Sequence, residues 1–266
     1  MDINMDEFAW LWQGIVKKKF TKSDKHYLDP INIRRKKNGR AILLLHGFSS
    51  SPAVFRHIVP ACALYDAISA PVLPGHGLSI AAFAKVTGEE WLNNAKAEYQ
   101  KLALDYAKVD VLGLSLGGLL ALHIATLYKP HHLYLLAPAL LLNFPLNLGP
   151  RLPNFLAKIG IKTIRSQGGN IHQRYEAELT YKRLPLTTIT EVINLIHSFN
   201  FKPPTCPTDV FLGKYDATVN SGRIALLFKN LPNANIHWLN HSAHVLPLDE
   251  DKNLINNLIQ TNLLKG

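Results

Sequence analysis

Cysteine is almost missing from this chain of 266 residues: Cys62 and Cys206 are the only two, and they lie far apart. That excludes a disulfide framework and a multi-cysteine metal cluster, and leaves both as small buried hydrophobes of a reducing compartment. No apolar run approaches the length of a membrane span. The amino terminus starts Met1-Asp2-Ile3-Asn4-Met5-Asp6-Glu7, acidic where a secretory signal needs a basic start. The apolar stretch that follows is broken by Gln13 and Gly14 and has no small-residue cleavage site. The expectation is a soluble cytoplasmic protein. Internal repeats and low-complexity tracts are absent, and 47% hydrophobic with 18% charged residues is too apolar a balance for wholesale disorder.

Acidic residues are also scarce, 19 against 29 Lys and Arg, for a net charge of +10. The excess is local. Residues 17–40 hold ten Lys or Arg against Asp24 and Asp29. Such a segment can make peripheral contact with an anionic membrane; the plainer alternative is a solvated pair of edge strands and a loop. Nucleic acid is not an expected partner, because no aromatic-basic module accompanies the charge. Just upstream, Phe8, Leu11, Trp12 and Ile15 recur at helical spacing. That predicts a helix over 6–16 that packs on the body of the domain, in preference to lying on a membrane.

From residue 41 the pattern becomes regular. Apolar runs at Ala41–Leu45, Ala67–Leu73, Val109–Leu114, Leu133–Leu136, Val210–Leu212 and Ile236–Leu239 read as strands. Glu89–Lys108, Leu116–Tyr128 and Lys252–Leu264 read as helices. This alternation indicates a mostly parallel sheet covered on both faces. It breaks down between Pro138 and Pro203, where prolines, a Gly168-Gly169 pair and helical patterns around 171–182 and 187–199 suggest an insert. The predicted organisation is a basic extension (1–40), an α/β core (41–138 and 203–266) and a helical cap (139–202).

The central chemical signal is Gly113-Leu114-Ser115-Leu116-Gly117-Gly118, placed where a buried strand gives way to a helix. A nucleophile elbow needs that context, with near-absent side chains beside the serine so that the chain can turn sharply. A serine hydroxyl is a poor nucleophile without a base and a group to orient it. Among 12 histidines, His244 follows the last strand and precedes the last helix, ahead of His237 inside the strand and His241 earlier in the loop. Asp216, just past the strand ending at Leu212, is the candidate acid, with Asp249 and Asp209 as rivals. The Leu116 N–H at a helix start and the Phe48 N–H in His46-Gly47-Phe48-Ser49 are candidate oxyanion donors. His46 is expected to support its loop rather than to act as a second base.

Together His46-Gly47-Phe48, Leu73-Pro74-Gly75-His76-Gly77, Thr87–Trp91, Gly113–Gly118, Gly213–Asp216 and Ser242–Asp249 resemble bacterial carboxylesterases of the monoacylglycerol-lipase-like group, across roughly residues 40–265. The resemblance implies an α/β-hydrolase fold with a small cap. It implies Ser115 acylated by a short- or medium-chain ester or a monoacylglycerol-like lipid, His244 serving as base and then acid, and Phe48 with Leu116 forming the oxyanion hole. No metal or organic cofactor is required. In the cap, Leu140, Leu141, Leu142, Phe144, Leu146 and Leu148 could line an acyl pocket or simply pack the cap onto the body. Glu176, Glu178 and Glu191 keep an aminopeptidase of the same fold open, since such an enzyme must hold a substrate amine. A thioesterase is chemically close, and a non-catalytic lipid-binding protein is the more distant alternative.

Overall fold

The computed structural model describes residues 3–36, 38–143 and 160–265. In chain order its strands are β1 (Phe8–Trp12), β2 (Ile15–Lys19), β3 (Ile31–Arg34), β4 (Arg40–Leu45), β5 (Ala67–Ala70), β6 (Lys108–Leu114), β7 (Leu133–Leu136), β8 (Thr163–Arg165), β9 (Glu178–Tyr181), β10 (Arg183–Pro185), β11 (Thr208–Gly213) and β12 (Ala234–Leu239). The helices are α1 (Ile80–Phe83), α2 (Gly88–Asp105), α3 (Leu116–Leu127), α4 (Leu186–Ser198), α5 (Ser221–Phe228) and α6 (Lys252–Lys265). None is long and apolar enough to cross a membrane among the described residues.

Seven strands form the central sheet in the order β12-β11-β7-β6-β4-β5-β3, parallel throughout except for β3, which runs antiparallel to β5. Every residue of β4, β5, β7 and β11 is buried, because helices cover both faces. Each large apolar side chain so enclosed, such as Leu43 or Phe211, stabilises the fold by about 1.5–3 kcal/mol. Helix α2 starts with a reciprocal cap in which Thr87 Oγ1 accepts from Glu90 N and Glu90 Oε2 accepts from Thr87 N. Its buried residues Trp91, Ala95, Tyr99 and Leu102 then fall on one face. Both cysteines are free and buried.

Three expectations change. Residues 6–16 do not form one amphipathic helix: after a single 3-10 turn at Met5–Glu7 they make the strand β1, the turn Gln13-Gly14 and the start of β2. Helical spacing could not discriminate here, since five consecutive residues from Phe8 to Trp12 are apolar and satisfy any period. The turn decides it, because Gln13 (φ 47°) and Gly14 (φ 74°) both take the positive φ of a tight hairpin. Second, the described part of 139–202 is not helical throughout. The stretch around 187–199 is α4, but 171–182 contains β9, which pairs with β1 to give a separate antiparallel sheet, β2-β1-β9. The amino-terminal hairpin is therefore part of the cap layer, with Phe8, Ala9, Trp10 and Leu11 all buried. Third, Ile31–Arg34, within the segment read as an extension, adds an edge strand to the central sheet.

Candidate active site

Strand β6 ends at Leu114, and Ser115 turns the chain into α3 with φ 53° and ψ −114°. Such backbone is strained by roughly 1–3 kcal/mol for a non-glycine residue and persists only where its surroundings enforce it. Here the enforcement is steric. A Cβ on Gly113 would lie 2.2 Å from Gly117 O, and one on Gly117 would lie 1.9 Å from Leu45 O. Strand, turn and helix can approach this closely only with glycine at both places, which is the physical content of the pentapeptide. Leu116 becomes the first residue of α3, where backbone N–H groups point out of the helix.

The loop after β4 closes on the same point. A Cβ on Gly47 would sit 3.4 Å from Ser115 Cβ, so Phe48 follows a residue in contact with the nucleophile. Two buried histidines shape this loop. His46 Nε2 accepts from Leu73 N (3.0 Å) while its Nδ1 faces Gly47 O (2.9 Å). His76 Nε2 accepts from Ser49 N (3.1 Å), which holds Ser49 at φ 59°. Burial pushes His46 down to about 4 and His76 well below the usual histidine value, so both are neutral supports. The cap contributes as well, since Thr180 Oγ1 donates to Ser49 O at 2.8 Å. The sequence pattern flagged His46 in this supporting role; His76 and Thr180 were missed, although His76 lies in a recognisable turn motif.

Asp216 and His244 meet directly. His244 Nδ1 lies 2.8 Å from Asp216 Oδ2, and the Asp216 side chain is fully buried. Its other oxygen, Oδ1, accepts from Thr218 N and Val219 N, each at 2.8 Å. An ionised carboxylate only accepts, so Nδ1 carries the proton and Nε2 is left with a free lone pair. Burial alone would lower the His244 pKa; the Asp216 charge and hydrogen bond, helped by Glu178, raise it above the ordinary value instead. In the sheet order β12-β11-β7-β6, the loops bearing His244, Asp216 and Ser115 all leave the carboxyl ends of their strands. Open α/β sheets place their ligand sites along that edge.

The rivals are engaged elsewhere. Asp249 spends both oxygens on backbone donors, Oδ2 on His172 N and Ala243 N and Oδ1 on Gln173 N and Glu250 N. Asp209 lies near the amino end of β11, where it pairs with His132 and His237. In the cap, Leu140 is buried and Leu141 and Leu142 pack against the core beside the Asp216 loop, with Leu142 bridging to Val219. Phe144, Leu146 and Leu148 lie outside the described residues.

A doubly covered, mostly parallel sheet with a strained serine elbow and an aspartate–histidine pair on its carboxyl edge defines a class. The chain belongs to the alpha/beta hydrolase family, whose model matches residues 42–255. It is similar to a thermostable monoacylglycerol lipase of Bacillus sp. (strain H-257), 26% identical over 224 residues that cover 80% of this chain and 86% of the relative. A carboxylesterase of Bacillus subtilis (strain 168) is 22% identical over 231 residues, covering 81% and 89%. Among solved structures, one from a study of two metagenome-derived lipolytic enzymes, LipS and LipT, matches with TM-score 0.81 at 23% identity, over 90% of this chain and 98% of that one. A monoacylglycerol lipase of Paleococcus ferrophilus matches with TM-score 0.68 at 16% identity, over 89% and 99%.

Proposed function

We propose that this protein is a serine hydrolase of the lipase/esterase kind, which cleaves carboxylic esters of short or medium acyl chains or of monoacylglycerol-like lipids. The hydrogen bond from His244 to Asp216 on the sheet edge shared with the Ser115 elbow carries the proposal. In the first step His244 Nε2 takes the Ser115 proton as Oγ attacks the ester carbonyl. The Phe48 and Leu116 N–H groups stabilise the oxyanion, and His244 then protonates the departing alcohol. In the second step His244 activates a water that cleaves the acyl-enzyme and releases the acid. Asp216 holds the tautomer and stabilises the imidazolium without taking the proton. The chemistry needs no metal or organic cofactor.

An aminopeptidase is disfavoured by the state of the cap carboxylates. Glu176 is held by Arg56 and His57, Glu191 caps α2 by accepting from Gly88 N (2.9 Å), and Glu178 accepts from Gly169 N (2.8 Å). Each is committed within the protein, so none is a ready anchor for a substrate amine. Hydrolysis of p-nitrophenyl esters over a series of acyl lengths, wild type beside Ser115→Ala, tests the proposal. Activity in the wild type that falls by on the order of 10⁶ in the variant is expected. Ester hydrolysis undiminished in Ser115→Ala would overturn it.

The outer strand of the hairpin bears on how such an enzyme meets lipid. All five residues of β2 are exposed, with Ile15 and Val16 beside Lys17, Lys18 and Lys19 on what is, among the described residues, an edge of the sheet. Apolar side chains flanked by lysines suit an anionic bilayer surface. Co-sedimentation of the full chain with anionic vesicles should then weaken in Lys17→Glu/Lys19→Glu. Equal pelleting of both forms would remove the membrane from the proposal.

A further inference from the structure

The amino-terminal hairpin lies outside the residues the family model matches, yet a short run of hydrogen bonds connects its tip to the catalytic pair. The link is the cap loop 168–173. On its outer side, Gln13 N donates to Gly169 O (2.7 Å), Gly14 N to Gly168 O (2.9 Å) and Gln13 Nε2 to Ile171 O (3.2 Å). The fit is close, because a Cβ on Gly169 (φ 74°) would lie 2.1 Å from Leu11 O. On the inner side stands Asn170. Its backbone oxygen accepts from both His244 N (2.9 Å) and Val245 N (3.0 Å), and its side-chain Oδ1 accepts from Ala217 N (3.1 Å). One residue thus grips the backbone of the candidate base and of the position next to the candidate acid, while the hairpin tip holds the residues on either side of it.

We infer that Asn170 is a positioning residue that sets the spacing of the His244 and Asp216 loops, and that the amino-terminal hairpin is a working part of the active site because it holds Asn170 in place. This rests on the serine-hydrolase proposal above. The two loops follow different strands, β11 and β12, and Asn170 Oδ1 together with its own carbonyl spans them. Without the side-chain acceptor the Ala217 N–H loses its partner; Tyr215 N to Ser242 O and Asn143 Nδ2 to Asp216 O (both 3.0 Å) still hold the acid loop, but its tie through Asn170 to the base is gone. Misplacement of catalytic groups by about 1 Å can reduce turnover by on the order of 100-fold. Such a shift leaves substrate binding largely intact, since Asn170 supplies neither of the oxyanion donors proposed above.

The test is steady-state p-nitrophenyl ester hydrolysis by the full chain carrying Asn170→Ala, Asn170→Asp and Gly169→Ala, with melting temperature and the rate of Ser115 labelling by a phosphonate recorded for each. Asn170→Ala should lose on the order of 10- to 100-fold in kcat with little change in KM. Asn170→Asp keeps an acceptor for Ala217 N and should recover most of that loss. Gly169→Ala, which pushes the hairpin from the loop, should slow phosphonate labelling even where the protein remains folded. A wild-type kcat in Asn170→Ala overturns the inference. So does a kcat loss that simply tracks melting temperature and is not recovered by Asn170→Asp. Failure of the underlying proposal is distinguishable, because it would appear as activity surviving in Ser115→Ala, whatever residue stands at 170.

Discussion

Strand β11 has an aspartate paired with histidine beyond its carboxyl end and another near its amino end. At the carboxyl end Asp216 holds His244 by one oxygen and two backbone N–H groups by the other. Near the amino end Asp209 takes His237 Nε2 on Oδ1 (2.7 Å) and His132 Nε2 with Asn262 Nδ2 on Oδ2 (both 2.8 Å). The partner chemistry is the same and both carboxylates are buried. What differs is the neighbourhood. One pair shares its sheet edge with a strained serine elbow and the Gly47 loop, while the other ties β7, β11, β12 and α6 together from below. An aspartate–histidine hydrogen bond is therefore no sign of catalysis by itself; its place on an α/β sheet decides what it does.

Asparagine substitutions at the two ends should separate the roles most sharply. Asp216→Asn keeps the shape but reverses the preferred histidine tautomer, and kcat for ester hydrolysis should fall by on the order of 10⁴-fold. Asp209→Asn should leave kcat within a small factor of wild type. Comparable kcat losses in the two variants would erase the distinction between them.

Stability should show the reverse order. Removing a buried acceptor strands its donors at a cost of about 1–3 kcal/mol, so Asp209→Ala, which leaves His132, His237 and Asn262 without theirs, should lower the melting temperature markedly. The Asp209 carboxyl resists ionisation through burial, but hydrogen bonds from His132 and His237 and their charge outweigh this and hold its pKa well below the usual range. A depressed folded-state pKa contributes stability that is complete above the unfolded-state value of about 3.9 and drains away as the pH falls below it. The gap in melting temperature between wild type and Asp209→Ala should therefore be wide near neutral pH and narrow on acidification. A gap that stays constant down to strongly acidic pH would mean that the carboxylate charge is not what stabilises this end.

The same division between regions governs what could be read from the sequence. Six strands of the central sheet were legible as apolar runs, and the places of Ser115, Asp216 and His244 could be read as the segments that follow three of them; the edge strand β3, half exposed in alternation, was not legible. Asp209 could be set aside for the same reason, since it opens a strand instead of closing one. The cap layer followed no such rule. Phe8–Leu11 is buried and β1 is paired on both sides, by β2 and β9, so the strand is apolar at every position and carries no period. Glu178–Tyr181 is a strand only because β1 pairs with it, and that partner lies about 170 residues away, beyond any local signal. Asn170 sits after a glycine pair that announces a turn; nothing in its identity announces that His244 and Ala217 converge on it.

A third carboxylate refines the comparison. Glu178 on β9 is buried, accepts from Gly169 N, and contributes through its charge to raising the His244 pKa, after Asp216. His244 acts as base only when neutral, so kcat/KM of the wild type should rise with pH through a limb above the ordinary histidine value of about 6.5. Glu178→Gln keeps an acceptor for Gly169 N but removes the negative charge, which destabilises the imidazolium and must move that limb to lower pH. Burial raises the pKa of Glu178 itself, against the Gly169 hydrogen bond that lowers it, so its influence on His244 fades at the acid end as it takes up a proton. Because Glu178 neither orients the imidazole nor touches Nδ1, turnover on the plateau should fall far less than in Asp216→Asn. A limb that stays in place in Glu178→Gln would show that the charge on the cap strand is screened from the histidine. Asp216 would then be the sole carboxylate that tunes it.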